Sequence, residues 1–106
     1  ATSGGEIIAG MLPGAKVVKA FNTLFAQVYH SDSRLFGSRH ATMFYCGDNA
    51  EARAIVAKLI FETGLTPMDA GPLSSARYLE PLAMLMIQLG YGMGMGTDIA
   101  LSLIHR

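Results

Sequence analysis

Charge is what this 106-residue sequence has least of. Asp, Glu, Lys and Arg make up 15% of it, against about 25% in an ordinary soluble domain. With 51% hydrophobic residues, disorder is excluded, and the few charges cannot clothe the whole exterior. Another copy of the chain, or a missing part of the protein, is therefore expected to cover some apolar faces. The eight basic and eight acidic residues cancel. No basic cluster gathers on one face, which excludes a nucleic-acid or anionic-membrane partner. Cys46 is the single cysteine, so an internal disulfide and a multi-thiolate metal site are both excluded, and a reducing cytoplasm suits the chain. His30, His40 and His105 lack helical i, i+4 spacing, which argues against zinc. No long apolar run exists. The uncharged stretch from Pro81 to Thr97 holds Gln88, ends in glycines and is shorter than the roughly 20 residues a spanning helix needs, so it reads as buried helix. The opening ATSGGEII has no basic segment before a long apolar core, hence no visible secretory signal. Repeats, low-complexity tracts and linkers are also missing, which leaves one small domain with a modest core.

What is there alternates between helix and strand signals. Ser3 with Glu6 three residues later is the capping-box spacing, in which two side chains satisfy free backbone donors at a helix start. Ile7, Ile8, Met11 and Leu12 would form that helix's buried stripe, and Pro13-Gly14 would stop it. AKVVKAF, Ala15 to Phe21, predicts a buried strand; NTLFAQVY, a short helix or ordered loop; HSDSRLFGSRH, a surface excursion; ATMFYC, Ala41 to Cys46, a second strand. GDNAEARAIVAKLIFETG predicts a helix capped by Asp48, burying Ala52, Ile55, Val56, Leu59 and Ile60, and ended by Gly64. LTPMDAG gives a third strand that Pro67 places at an edge or near its own start. PLSSARYLEPLAMLMIQLG gives a long helix burying Leu79, Leu82, Ala83, Met86 and Ile87, and TDIALSLIHR a last helix capped by Thr97 or Asp98. The order is that of an α/β layer with right-handed crossovers. About three strands make a sheet so narrow that it suggests part of a larger Rossmann-type sheet.

LGYGMGMGTDIA, Leu89 to Ala100, spaces four glycines two apart. A dinucleotide fingerprint needs glycines at i, i+2 and i+5 after a strand. Here i+5 is Met95 or Thr97, and the ladder follows a helix. It reads as a break at which glycines permit close packing, with contact to a flat ring system under Met93 and Met95 as the alternative.

LPGAKVVKAFNT, GDNAEARAIVAKLI and MDAGPLSSARYLEPL, in this order, resemble the second half of the coenzyme F-420-dependent NADP oxidoreductases and of the related cytosolic domains of six-transmembrane ferric reductases. The resemblance runs over nearly the whole chain. It implies the second half of a Rossmann-type sheet of about three strands with two C-terminal helices. The family's first strand and glycine-rich turn would precede the position matching Ala1, so a truncated product or a half-domain pairing with another chain is expected. It further implies that Asn22, Thr23 and Ala26 lie beside the nicotinamide half of NADP, unless Asn22 merely ties a turn, and that Met95, Gly96 and Thr97 lie near a deazaflavin, coenzyme F-420, or a flavin. The expected activity is hydride transfer between NADP(H) and such an acceptor, chemistry the cofactors carry themselves. The alternative is a non-catalytic interaction module. In either reading a homo-oligomer through the C-terminal helices is expected, in the cytoplasm, with no nucleic acid, membrane or metal. Ser74, Ser75 and Arg77 could hold an anion at a helix start, but helix capping and an Arg77 ion pair with Glu80 are the plainer reading. Cys46 reads as an inert buried thiol, and His30 to Asp32 is assigned no catalysis.

Overall fold

The computed structural model describes residues 1–29 and 35–106, the side chains of Ala26 and Gln27 excepted. The excursion residues His30 to Asp32 lie outside that description. Along the chain run α1 (Gly4–Met11), β1 (Val18–Lys19), α2 (Ala26–Tyr29), β2 (Leu35–Phe36), β3 (Arg39–His40), β4 (Thr42–Gly47), α3 (Ala50–Glu62), β5 (Thr66–Asp69), a 3-10 turn (Leu73–Ser75), α4 (Ala76–Ile87) and a π-helical turn (Gln88–Gly92). The main sheet has the order β1-β4-β5. β2 and β3 form a separate hairpin around Gly37, whose φ of 65° supplies the left-handed residue that tight hairpin turns require.

β4 explains why the second strand is apolar almost throughout. Met43 and Tyr45 enter a core with Leu24, Val28, Ala41, Ile60 and Leu65, on the α3 side. Phe44 and Cys46 point the other way, to Leu73, Ala76 and Leu79, on the α4 side. A strand buried on both faces has no polar alternation to show. Gly64, at φ 86°, ends α3 as expected, and Pro67 sits on β5, an outer strand of the sheet.

Several sequence expectations change. The predicted strand from Ala15 to Phe21 pairs only at Val18 and Lys19, and it runs antiparallel to β4, whereas β4 and β5 are parallel. The sheet is thus mixed, and the chain leaves it at Phe21, which has φ 61°. The cap of α3 is Asn49, whose side chain accepts from the Ala52 N–H at 2.9 Å. Asp48 is taken up instead by the Leu73 N–H at 3.0 Å. The second C-terminal helix does not form. Leu101 accepts the Thr42 N–H at 2.7 Å and Leu103 donates to the Thr42 hydroxyl at 2.9 Å, so the tail spends its backbone groups on the start of β4. Finally, Ile7, Ile8, Met11 and Leu12 of α1 and Ile55 and Leu59 of α3 are exposed. Their apolar spacing marks an outward face, while Gly5 is the residue α1 buries. Among the described residues no helix is long and apolar enough to cross a membrane.

Candidate functional site

The chain turns sharply where β1 ends. Phe21 has a left-handed backbone, φ 61°, and is the one non-glycine described residue that does. A bulky residue there stores on the order of 1–3 kcal/mol of strain, of the kind that gathers at functional sites. Its ring is only partly covered, leaning on Tyr29 at a centroid distance of 6.1 Å. The turn sends Asn22 to Phe25 across to α4, where Asn22, Thr23, Leu24 and Phe25 enclose, with Ala83, Met86 and Ile87, a cavity of about 230 Å³.

Asn22 and Thr23 supply the cavity's polar side chains. Thr23 is buried, and its hydroxyl donates to the Met43 sulfur at 3.7 Å, away from any ligand. Asn22 donates through Nδ2 to the Leu79 carbonyl at 2.8 Å, which answers to the turn-tying role expected of its side chain. Its Oδ1, however, is buried with no hydrogen-bond partner among the described residues, an arrangement folded proteins rarely leave unexplained. Ala26 opens α2; its side chain is outside the described part.

The glycine ladder lies next door. After the π-helical turn the chain folds back: Met95 donates to the Leu89 carbonyl at 3.1 Å and Gly96 to that of Gly90 at 2.9 Å, with Gly94 and Gly96 at positive φ. A Cβ on Gly90 would stand 2.7 Å from the Phe25 ring and 2.9 Å from the Gly96 carbonyl oxygen. Close packing is therefore what Gly90 does, as the plainer reading of the ladder had it, while a Cβ on Gly94 or Gly96 would meet nothing within 4 Å. Phe25 also meets Tyr91 edge to face at 5.5 Å, so one ring joins the cavity to the ladder. Met95, Gly96 and Thr97 do not line the cavity; Met95 is exposed and Gly96 abuts Gly90.

Because the sheet is mixed, this cavity lies at the carboxyl end of β1 but at the amino ends of β4 and β5. The rule that places ligands at carboxyl ends of parallel strands holds for one strand only. A larger cavity, about 310 Å³ between α1, Lys16, Asp48 and Asn49, occupies the opposite end. Its carboxylate and amide are already bonded to Leu73 and Ala52, so size does not mark the site.

The anion reading of Ser74, Ser75 and Arg77 finds no support. Arg77 is engaged in a two-toothed pair with Glu6 at 2.8 Å and 2.8 Å, not with Glu80 as expected, and no serine side chain caps α4. Glu80 instead accepts the N–H groups of Gly4 at 2.7 Å and Gly5 at 3.0 Å, and Lys19 stands 3.7 Å away. Burial raises the Cys46 thiol above its usual range, which keeps it protonated and unreactive. No metal-binding cluster exists among the described residues. The orphaned Asn22 oxygen was not legible in the sequence, because burial and orientation are set by α4, far along the chain.

No protein-family model matches the chain. Metalloreductase STEAP3 of Rattus norvegicus is 35% identical over 85 residues, which is 80% of this chain and 17% of that protein. Metalloreductase STEAP2 of Homo sapiens is 32% identical over 92 residues, 85% of this chain and 18% of the other. Among solved structures, a putative F-420-dependent NADP-reductase from Arthrobacter sp. FB24 superposes with a TM-score of 0.83 at 32% identity, over 95% of this chain and 46% of that one. A hypothetical protein from Sinorhizobium meliloti superposes with a TM-score of 0.60 at 42% identity, over 68% and 35%. The chain thus spans less than a fifth of these curated relatives and less than half of these solved ones. Its fold is that of part of a Rossmann-like reductase domain.

Proposed function

From the premise that this chain resembles the coenzyme F-420-dependent NADP oxidoreductases and the metalloreductases related to them, we propose that it forms the nicotinamide side of an NADP-dependent oxidoreductase. The acceptor is a deazaflavin such as coenzyme F-420, or a flavin. The observation that carries this is the meeting of three separate stretches at one cavity: the Asn22–Phe25 loop, α4 and, through Phe25, the glycine turn.

The lining fits the group. Leu24, Phe25, Ala83, Met86 and Ile87 offer apolar cover to a flat ring. NADPH supplies the hydride itself. What these residues do is hold the ring, exclude water and leave its other face to the acceptor, near Met95, Gly96 and Thr97. No acid, base or nucleophile is required of them. The phosphates need another cradle, since the glycine ladder follows a helix and lacks the glycine at i+5 that a dinucleotide turn requires. A cytoplasmic location fits the single unreactive thiol.

NADPH titrated into the isotopically labelled chain, followed by amide and methyl NMR signals, tests the reading. Shifts are expected at Asn22, Thr23, Phe25, Ala83 and Met86; shifts confined to the Lys16–Asn49 end would refute it. A second reading, an assembly module, is favoured by the exposed Tyr78, Met84 and Leu85 on α4. With the last predicted helix replaced by an extended tail, α4 is the C-terminal helical face offered to a second copy.

A further inference from the structure

A smaller cavity, of about 180 Å³, opens between the β2–β3 hairpin and the extended tail. Phe36, Ala41, Ala100 and Leu101 give it carbon walls, and Arg39, His40 and Ser102 its polar groups. No carboxylate lines it. Arg53 and Arg77 are each spent on an acidic partner, Asp69 at 3.6 Å and Glu6 at 2.8 Å, whereas Arg39 has no such partner among the described residues. A guanidinium is always charged. The cavity thus carries an uncompensated cation at an apolar hollow, which is complementary to an anion on a small apolar body.

His40 and Ser102 narrow the choice of anion. Nδ1 of His40 stands 2.8 Å from the Gly64 carbonyl. A carbonyl only accepts, so Nδ1 carries the proton, and Nε2 is left with a lone pair or, in the charged ring, with an N–H. The wall that bears the Ser102 hydroxyl is pinned on both sides: Leu101 accepts the Thr42 N–H at 2.7 Å, and Leu103 donates to the Thr42 hydroxyl at 2.9 Å. A phosphate monoester loses its second proton at about pH 6, so near neutrality it meets this imidazole in either state. The monoanion donates its P–O–H to a neutral Nε2; the dianion accepts from a charged one. Its further oxygens answer the Arg39 fork and the Ser102 hydroxyl. A carboxylate has two oxygens and, at neutral pH, no proton to give.

We propose that Arg39, His40 and Ser102 form a binding site for a phosphate monoester, whose apolar neighbour group rests on Phe36, Ala41, Ala100 and Leu101. The site stands apart from the Asn22–Phe25 cavity and does not rest on the nicotinamide reading given above.

The probe is phenyl phosphate, titrated into the isotopically labelled 106-residue chain and read from the Arg39 side-chain N–H, the Ala41 and Ala100 methyl groups and the Ser102 amide. These signals are expected to shift together and saturate, with benzoate and phenol each binding about tenfold more weakly. Arg39→Gln is expected to weaken phenyl phosphate by about tenfold, the loss of a charge-assisted pair. Arg39 is exposed on the hairpin, so that variant keeps its core, and the comparison of the three ligands needs no variant at all. Signals unmoved by phenyl phosphate, phenol moving them at equal concentration, or unchanged affinity in Arg39→Gln would each overturn the proposal. Flavin mononucleotide and adenosine 2′-phosphate then distinguish two sources of the same chemistry: the one that moves these signals at lower concentration carries the phosphate. NADPH shifts at Asn22, Thr23 and Phe25 are read separately, so either site can fail while the other stands.

Discussion

Gly90 is defined by the side chain it lacks. A Cβ there would meet the Phe25 ring at 2.7 Å and the Gly96 carbonyl at 2.9 Å, and the second of these is backbone that cannot swing aside. Gly90→Ala is therefore expected to lower unfolding stability by about 2 kcal/mol, as overpacking does, and to weaken ring binding by displacing Phe25. Gly92→Ala is a useful contrast. The nearest atoms its Cβ would meet belong to the end of the Gln88 side chain, at 2.6 Å, which can rotate away, and alanine is the better helix former by about 1 kcal/mol, so a change close to zero is expected. Urea melts of the two variants check this, and equal losses would contradict it. The sequence displayed the glycines and offered close packing as their plainer reading, which Gly90 bears out. Which of them stands against backbone depends on Phe25, some 65 residues earlier by position, and could not be read from the ladder.

At the scale of elements, α1 is held to α4 largely by charge. Glu80 reaches the first two N–H groups of α1, where the helix presents its positive end, and Arg77 grips Glu6. The apolar residues of α1 are turned away. The N–H groups of Gly4 and Gly5, and then Lys19, hold the Glu80 carboxyl below its ordinary value of 4.5. The Arg77 guanidinium does the same first of all for Glu6. A carboxyl whose folded value is lowered contributes its full stabilisation above the ordinary value and loses it as pH falls through the folded one. Stability is thus expected to decline from about pH 4.5 downward. Glu80→Gln should lower it by about 1 kcal/mol at neutral pH, and the gap between variant and parent should close in acid. Thermal melts across that range check the point, and a gap independent of pH would contradict it. The Ser3 cap of α1 was legible from spacing, since Ser3 accepts the Glu6 N–H at 3.2 Å, whereas the Glu6 carboxylate accepts from the Ser3 hydroxyl at 3.1 Å and from Arg77. The partner of Arg77 was not, since i, i+3 spacing to Glu80 suggested a bond that Glu6, from another helix, makes instead.

For the whole molecule, the dominant fact is exposed apolar surface on α1, α3 and α4. Ile7, Ile8, Met11 and Leu12 on α1, and Tyr78, Met84 and Leu85 on α4, are each half exposed or more, apart from Ile7 at 49%. Monomers seldom leave such faces uncovered. The isolated chain is therefore expected to self-associate, and Met84→Glu with Leu85→Lys, which put charge on α4, to shift it toward monomer by at least tenfold in dissociation constant, about 1.4 kcal/mol. Analytical ultracentrifugation over a dilution series checks this. A chain that stays monomeric at high concentration would count against the assembly reading and leave the cavity untouched. The sequence by itself determined the shortage of charge, the α/β order, the Ser3 start of α1, the Gly64 end of α3 and the resemblance to NADP reductases, because composition, caps and periodicity act over a few residues. Only the tertiary structure decided that β1 runs antiparallel to β4, that the tail is extended rather than helical, which side of each helix faces water, and that one oxygen of Asn22 lies buried and unanswered. Those outcomes depend on which distant groups compete for the same hydrogen bonds and the same space, a competition that local sequence does not record.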